Sequence, residues 1–225
     1  MTKLACTALA LAAATATVAA CGKGDAKEGA GKEGASAGGD ISADFVASVN
    51  AAVPADLKDK IQFEAGKVIE NEKRGRGFKV AVPKGWKPGK FIPGTLEPAD
   101  ADSFGSKTLG KTQMNIGRNC DGTCEKKDWA AVSDKVLYSQ FTSGKVEGKV
   151  LKDEKRPNGR TLVFERKPGM FPERDIAIHV YTSWWEPDAT EYYTCSADLG
   201  APAKGAAEAF EKACSKVIKD TSAAP

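Results

Sequence analysis

The chain has 225 residues, with 33 Lys and Arg against 30 Asp and Glu and a formal net charge of +3. Positive and negative side chains are interspersed rather than gathered into blocks. This argues against a nucleic-acid partner, because displacing condensed counterions takes a concentrated basic face. A single His and six Cys leave little material for a hydrolytic centre or a metal site.

Met1-Thr2-Lys3 is a short basic start, Leu4 to Ala20 carries no charge and includes Cys6, and Cys21-Gly22-Lys23 follows. A basic start, an apolar run and a small-residue exit describe a signal peptide. A membrane-spanning helix would need ~20 strongly apolar residues, whereas this run is rich in Ala and Thr. Val18-Ala19-Ala20-Cys21 resembles the bacterial lipobox. The resemblance implies cleavage after Ala20 and acylation of Cys21, with the membrane held through buried acyl chains at about 0.8 kcal/mol per methylene. Gly22, in place of an Asp, points to the outer membrane, with the domain in the periplasm or at the cell surface. From Cys21 to Asp40 no large apolar side chain occurs. Such a segment cannot bury enough surface to offset the ordering of its backbone and is expected to be a flexible tether. The expected organisation is a signal peptide over 1–20, a lipidated Cys and tether over 21–40, and one globular domain over 41–225 with enough chain for a real core.

A short helix over Asp44 to Ala52 opens the domain, since Ser42-Ala43-Asp44 offers capping side chains ahead of Phe45 and Val46. Ile61 to Ile69 and Phe78 to Pro83 read as strands; the basic run Lys73-Arg74-Gly75-Arg76-Gly77 between them could touch anionic lipid or cell-wall polymer, though a solvated hairpin loop is the commoner explanation of such a run. Leu109 to Arg118 supplies a third strand. Glu125 to Tyr138 switches to helical spacing, with Trp129, Val132 and Val136 three and four apart. Val146 to Lys152 and Thr161 to Arg166 flank Pro157-Asn158-Gly159, a strong hairpin signal. Along Asp175 to Trp185, Ile176, Ile178, Val180 and Trp184 point one way, and Ala177, His179, Tyr181 and Trp185 the other. Glu191 to Ala197 returns as the hairpin partner, and Ala203 to Lys219 closes the chain as an amphipathic helix. The sum is an α+β fold.

Four cysteines fall in the domain, an even number that reads as disulfides in an exported protein. Cys214 lies on the apolar face of the last helix and Cys195 in the strand before it, so Cys195–Cys214 is the expected wide pair and Cys120–Cys124 the tight one. A zinc site needs more soft ligands than one close and one wide Cys pair with one His can bring.

Gly105-Ser-Lys-Thr-Leu-Gly110-Lys111-Thr112 fits the phosphate-loop pattern letter for letter. That pattern works only between a buried strand and a helix N-terminus, and Gln113-Met114-Asn115-Ile116 continues as a strand, so no nucleotide is expected there. His179 alternates with aromatics, Asp153 and Glu154 are adjacent in a polar hairpin, and no nucleophile motif accompanies either, so no catalytic residue and no cofactor is expected. The remaining aromatics are mostly core material. Were Tyr181 and Trp185 to share an uncovered face, they would, with the loops around Trp86, form a stacking surface for a peptide, glycan or protein.

Phe78-Lys-Val-Ala-Val-Pro-Lys-Gly-Trp86, with the late strands and terminal helix, resembles the PsbP-like family. The resemblance implies an antiparallel sheet of about six to seven strands sandwiched by helices, in a protein that assists assembly or stabilises a larger complex. The expected function is therefore a non-catalytic binding or assembly module, anchored in the cell envelope through Cys21 and facing an envelope protein or polymer. Two alternatives stay open: a thiol-redox protein using Cys120 and Cys124, and a small-ligand carrier with a tryptophan-lined pocket between helix and sheet.

Overall fold

The computed structural model describes residues 39–71, 76–120, 124–129, 148–170 and 175–220. Cys21, the expected signal peptide and most of the expected tether lie outside them, as does the expected helix beyond Trp129. Helix α1 (Ala43–Ala51) starts where Ser42 accepts a hydrogen bond on its Oγ from the Phe45 amide at 3.2 Å, satisfying one of the free donors of a helix N-terminus. A short 3₁₀ turn (Ala55–Leu57) leads to β1 (Phe63–Asn71) and β2 (Arg76–Pro83). Asn50 fastens α1 to β1: its amide donates to the Phe63 carbonyl at 2.9 Å and its Oδ1 accepts from the Phe63 amide at 2.7 Å.

Two short strands come next, β3 (Lys87–Pro88) and β4 (Thr95–Glu97), followed by β5 (Gln113–Asn119), β6 (Gly148–Arg156), β7 (Gly159–Arg166), β8 (Ile176–Trp185) and β9 (Tyr192–Gly200). The chain closes with a 3₁₀ helix (Ala201–Ala206), helix α2 (Ala207–Cys214) and β10 (Ile218–Asp220). The fold is α+β with two antiparallel sheets, one of three strands in the order β1-β2-β10 and one of seven in the order β3-β4-β5-β9-β8-β7-β6. The expected single sheet is thus divided. The last helix also stops five residues short of the predicted Lys219, because Ile218–Asp220 pairs with β2 instead.

The expected hairpin forms with Arg156 opposite Gly159, so Pro157 and Asn158 occupy the turn. Neither has a positive φ, and Pro suits the second position of a type I turn. Gly159 is needed for a different reason: a Cβ there would lie 2.4 Å from the Ser183 carbonyl of β8.

The alternation along β8 holds from Ile178 onward; a bulge at the start of the strand puts Ala177, expected on the other face, against the same core as Ile178. Ile178 and Val180 join Met114 and Ile116 of β5, Cys195, Ala197 and Leu199 of β9, Phe210 of α2 and both edges of the small sheet in one buried core. On the opposite face of the large sheet Leu162, Tyr181, Trp185 and Tyr192 form a second cluster with Trp129. The described stretch that carries Trp129, from Cys124 to Asp128, is not helical.

Both expected disulfides are present. Cys195–Cys214 joins β9 to the end of α2 with Cα atoms 5.3 Å apart, and Cys120–Cys124 closes a tight loop after β5. By chain-entropy arithmetic the wider bridge stabilises by about 3 kcal/mol and the tighter one by about 2.

Strand β6 is the outer edge of the large sheet and is solvent-facing along its length. Lys149, Lys152 and Lys155 on it discourage edge-to-edge pairing. Asp153 forms a two-pronged bond with Arg160 of β7, at 2.6 Å to Nε and 2.7 Å to Nη2. The Arg160 hydrogen bond holds the Asp153 carboxyl below its ordinary value. A carboxylate depressed in the folded state contributes stability that is complete above its unfolded pKa and lost as pH falls through the folded one. Asp153→Asn is therefore expected to lower the thermal midpoint at neutral pH. With solvent screening the loss is at most ~1 kcal/mol, or about 2–4 °C. The gap from the unsubstituted protein should close below about pH 3.9, and melting curves at pH 7 and in acid check it.

Candidate functional site

The segment from β3 to the start of β5 builds a cleft at one edge of the large sheet. Its volume is about 380 Å³, and its walls include Lys90, Phe91 and Ile92 from the β3–β4 loop, Ala101 to Ser103 from the β4–β5 loop, and Thr95 and Gln113 from the strands. Gly94 lets the first loop pass against β5. Its φ is +78°, and a Cβ on it would lie 2.1 Å from the Ile116 carbonyl. The second loop is held by its own polar groups: Lys87 donates to the Ala99 and Ala101 carbonyls at 2.7 and 3.0 Å, and the Asp102 carboxylate accepts from the Phe104 amide at 2.7 Å. The hydrogen bond from Ser106 holds the Asp100 carboxyl below its ordinary value, so this acid too is engaged within the loop.

Between them these loops expose apolar side chains that the cores do not take up. Phe91 is 87% exposed, Ile92 57% and Phe104 67%. Lys90 and Lys111, which line the same cleft, are also exposed. Exposed apolar groups of this size on adjacent loops make this edge of the sheet the candidate site. A wider cleft of about 820 Å³ lies near the far edge, lined by Lys149, Arg166, Lys167 and Lys204 together with Glu165 and Asp175. Both clefts present both signs of charge, the first through Lys90 and Lys111 with Glu97 and Asp102; none of the exposed large hydrophobics lines the wider one.

Gln113 links the loop cleft to the single histidine. His179, Asp198 and Gln113 stand in register across β8, β9 and β5. The imidazole Nδ1 lies 2.6 Å from one Asp198 oxygen, and the Gln113 amide donates to the other at 2.7 Å. The row braces three strands at a half-buried position.

The three aromatics expected to form a binding surface are placed differently. Tyr181 is 6% and Trp185 8% exposed; they share a face as their spacing requires, but that face is buried, in one cluster with Trp129. Trp86 follows the turn at Gly85, φ +75°, and leans on Phe210 with ring centroids 5.8 Å apart, so it packs on the core. Tyr181 and Trp185 are thus buried, and Trp86 is partly buried against the core. Gly105 to Thr112 runs into β5 rather than into a helix, and the Thr112 hydroxyl donates to the Leu109 carbonyl at 2.6 Å. Cys124 is exposed with φ +51° and does not open a helix, the setting that lowers a thiol pKa in dithiol oxidoreductases. Among the described residues no group of three or more His, Cys, Asp or Glu converges on a metal position.

Sequence reasoning missed Phe91, Ile92 and Phe104. The available signal was a large apolar residue among turn formers, in Lys90-Phe91-Ile92-Pro93-Gly94 and Asp102-Ser103-Phe104-Gly105, where no strand or helix period gives it a face to bury.

No family model matches the sequence, and no curated protein matches it. Among solved structures the chain is similar to the Saccharomyces cerevisiae Ran-binding protein Mog1p, at 11% identity and a TM-score of 0.45. The match covers 73% of this chain and 100% of that one. Likeness at that level transfers neither partner nor function.

Proposed function

We propose that the protein is a non-catalytic binding module of the bacterial cell envelope, anchored through acylated Cys21 and presenting the β3–β5 loops to an envelope component. The observation that carries the binding role is the gathering of Phe91, Ile92 and Phe104 on adjacent loops, rigidly backed and rimmed by lysines. Two supports come from elsewhere in the chain. Val18 to Cys21 has the lipobox composition, and all four domain cysteines are paired, as suits an oxidising compartment. The resemblance of Phe78 to Trp86 to the PsbP-like family, whose members assist assembly, fits the same role.

Mass spectrometry of the membrane-extracted protein, with free thiols alkylated before reduction, tests this reading. Diacylglycerol on Cys21 and no alkylation at Cys120, Cys124, Cys195 or Cys214 is the expected result. An unmodified Cys21 would remove the anchor. Alkylated Cys120 and Cys124 would favour the thiol-redox alternative.

A further inference from the structure

We propose that Phe91, Ile92 and Phe104 form a membrane-contact surface that enters the headgroup layer of an anionic phospholipid bilayer. This inference rests on the anchored reading above and names the envelope component as the lipid surface itself.

The backbone supports this placement more specifically than exposure does. A loop entering a water-poor layer must satisfy its own polar groups, since each unsatisfied one is costly there. The tip around Phe104 does so. Phe104 and Gly105 donate to the side chain and the carbonyl of Asp102. Thr108 and Leu109 donate to the Ser106 Oγ, and Ser106 and Gly110 exchange both amide–carbonyl bonds. In the other loop Gly89 donates to the Thr95 carbonyl and Thr95 to that of Ile92. The tip around Phe104 therefore loses little when water is withdrawn.

Two lysines have the sign and reach that the surface needs. Lys90 and Lys111 are exposed and line the cleft beside the apolar tips, with stems long enough to keep their ammonium groups at headgroup level while the Phe and Ile side chains go deeper. The acids nearby are Glu97, Asp100 and Asp102. Asp102 is engaged by the Phe104 amide and Asp100 by Ser106 and Thr108; both are held within their loop and stay exposed and charged, so the pull on an anionic surface comes from how far the lysine stems reach past them. A protein partner usually meets a continuous apolar core with a polar rim; here the apolar side chains stand on separate loops around a cleft.

The anchor supplies local concentration. Gly39 lies eighteen residues after Cys21, and a chain of that length spans at most ~60 Å. The domain is confined to that distance from the bilayer, where a contact too weak to hold a free protein is occupied.

The test uses the chain from Cys21 onward in two forms, acylated and as the unlipidated Cys21→Ser variant, with vesicles of phosphatidylcholine alone or mixed with phosphatidylglycerol. A Phe91→Trp substitution in each reports depth through quenching by acyl-brominated lipid, against the background of Trp86, Trp129, Trp184 and Trp185. Quenching and a blue shift with the mixed vesicles in both forms is expected, weakening as salt rises. Co-sedimentation of the Cys21→Ser form should fall about tenfold for each of Phe91→Asp and Phe104→Asp. An acylated chain whose Phe91→Trp emission stays unquenched in both vesicle types would overturn the proposal while leaving the anchor intact. Quenching of the Cys21→Ser form, in a protein whose native Cys21 proves unacylated, would keep the lipid contact and remove the anchor. Equal quenching in neutral vesicles would overturn the anionic assignment. Self-association through the rim without vesicle binding would assign it to a second copy of the chain and overturn the proposal.

Discussion

Phe210→Ala is expected to destabilise the domain by about 3–5 kcal/mol, the range for removing a fully buried aromatic side chain, and to lower the thermal midpoint by roughly 10–15 °C. Phe210 lies on α2 and is wholly buried. Its ring meets Phe63 of β1 edge-on at 5.1 Å and lies 5.8 Å from Trp86. A single side chain therefore joins the last helix to the small sheet and to the turn that precedes β3, and its loss leaves a cavity bounded by three elements. Cys214 holds the same helix to β9, so α2 is not free to slide inward and refill it. Phe210→Leu should cost much less, because most of the volume remains. Phe45→Ala gives the contrast: Phe45 is half-buried on α1 under the Lys216 ammonium, 5.5 Å from its ring, and its truncation should cost about 1 kcal/mol, the usual size for a point substitution. A loss below about 2 kcal/mol for Phe210→Ala would show that the two sheets are joined chiefly elsewhere.

The same residues show how far the sequence reading carries. The two-residue period of β8 correctly separates Ile178 and Val180 from Tyr181 and Trp185, because alternation is a property of the strand backbone. Cys195 and Cys214 were predictable as a pair since one ends up beneath the other when a helix folds back on its preceding strand. Beyond residue 214 the reading fails. Val217 and Ile218 are buried as the apolar face requires, yet not in a helix: Ile218 pairs with Lys79 of β2, a partner far away in sequence. Strands β3 and β4 are two and three residues long, too short for any period to register. The candidate site escaped for a related reason. Phe91 and Phe104 belong to loops, and which loop residues are left uncovered depends on the tertiary course of the chain. Conversely, Tyr181 and Trp185 looked available because nothing nearby in the sequence covers them.

Trp129 packs with them in one buried cluster, and its removal is expected to be the other severe change. Trp129 is buried against Tyr192, with ring centroids 4.9 Å apart, and its indole donates to the Ala189 carbonyl at 2.8 Å. Trp129→Ala should cost about 3–5 kcal/mol and expose Tyr181, Trp185 and Tyr192 on the second face of the sheet. Trp129→Phe should cost nearer 1–2 kcal/mol. It keeps an aromatic ring in place, and the Ala189 carbonyl still accepts from the Lys127 amide at 3.2 Å, so no buried acceptor is stranded. Chemical denaturation separates the two variants, and binding of a hydrophobic dye under native conditions should rise for Trp129→Ala alone. A Trp129→Ala protein that melts near the unsubstituted temperature without binding dye would mean that the second face is closed by other parts of the chain. Tyr181 and Trp185 would then owe their burial to those parts, and Trp129 would be an accessory of the cover rather than its anchor.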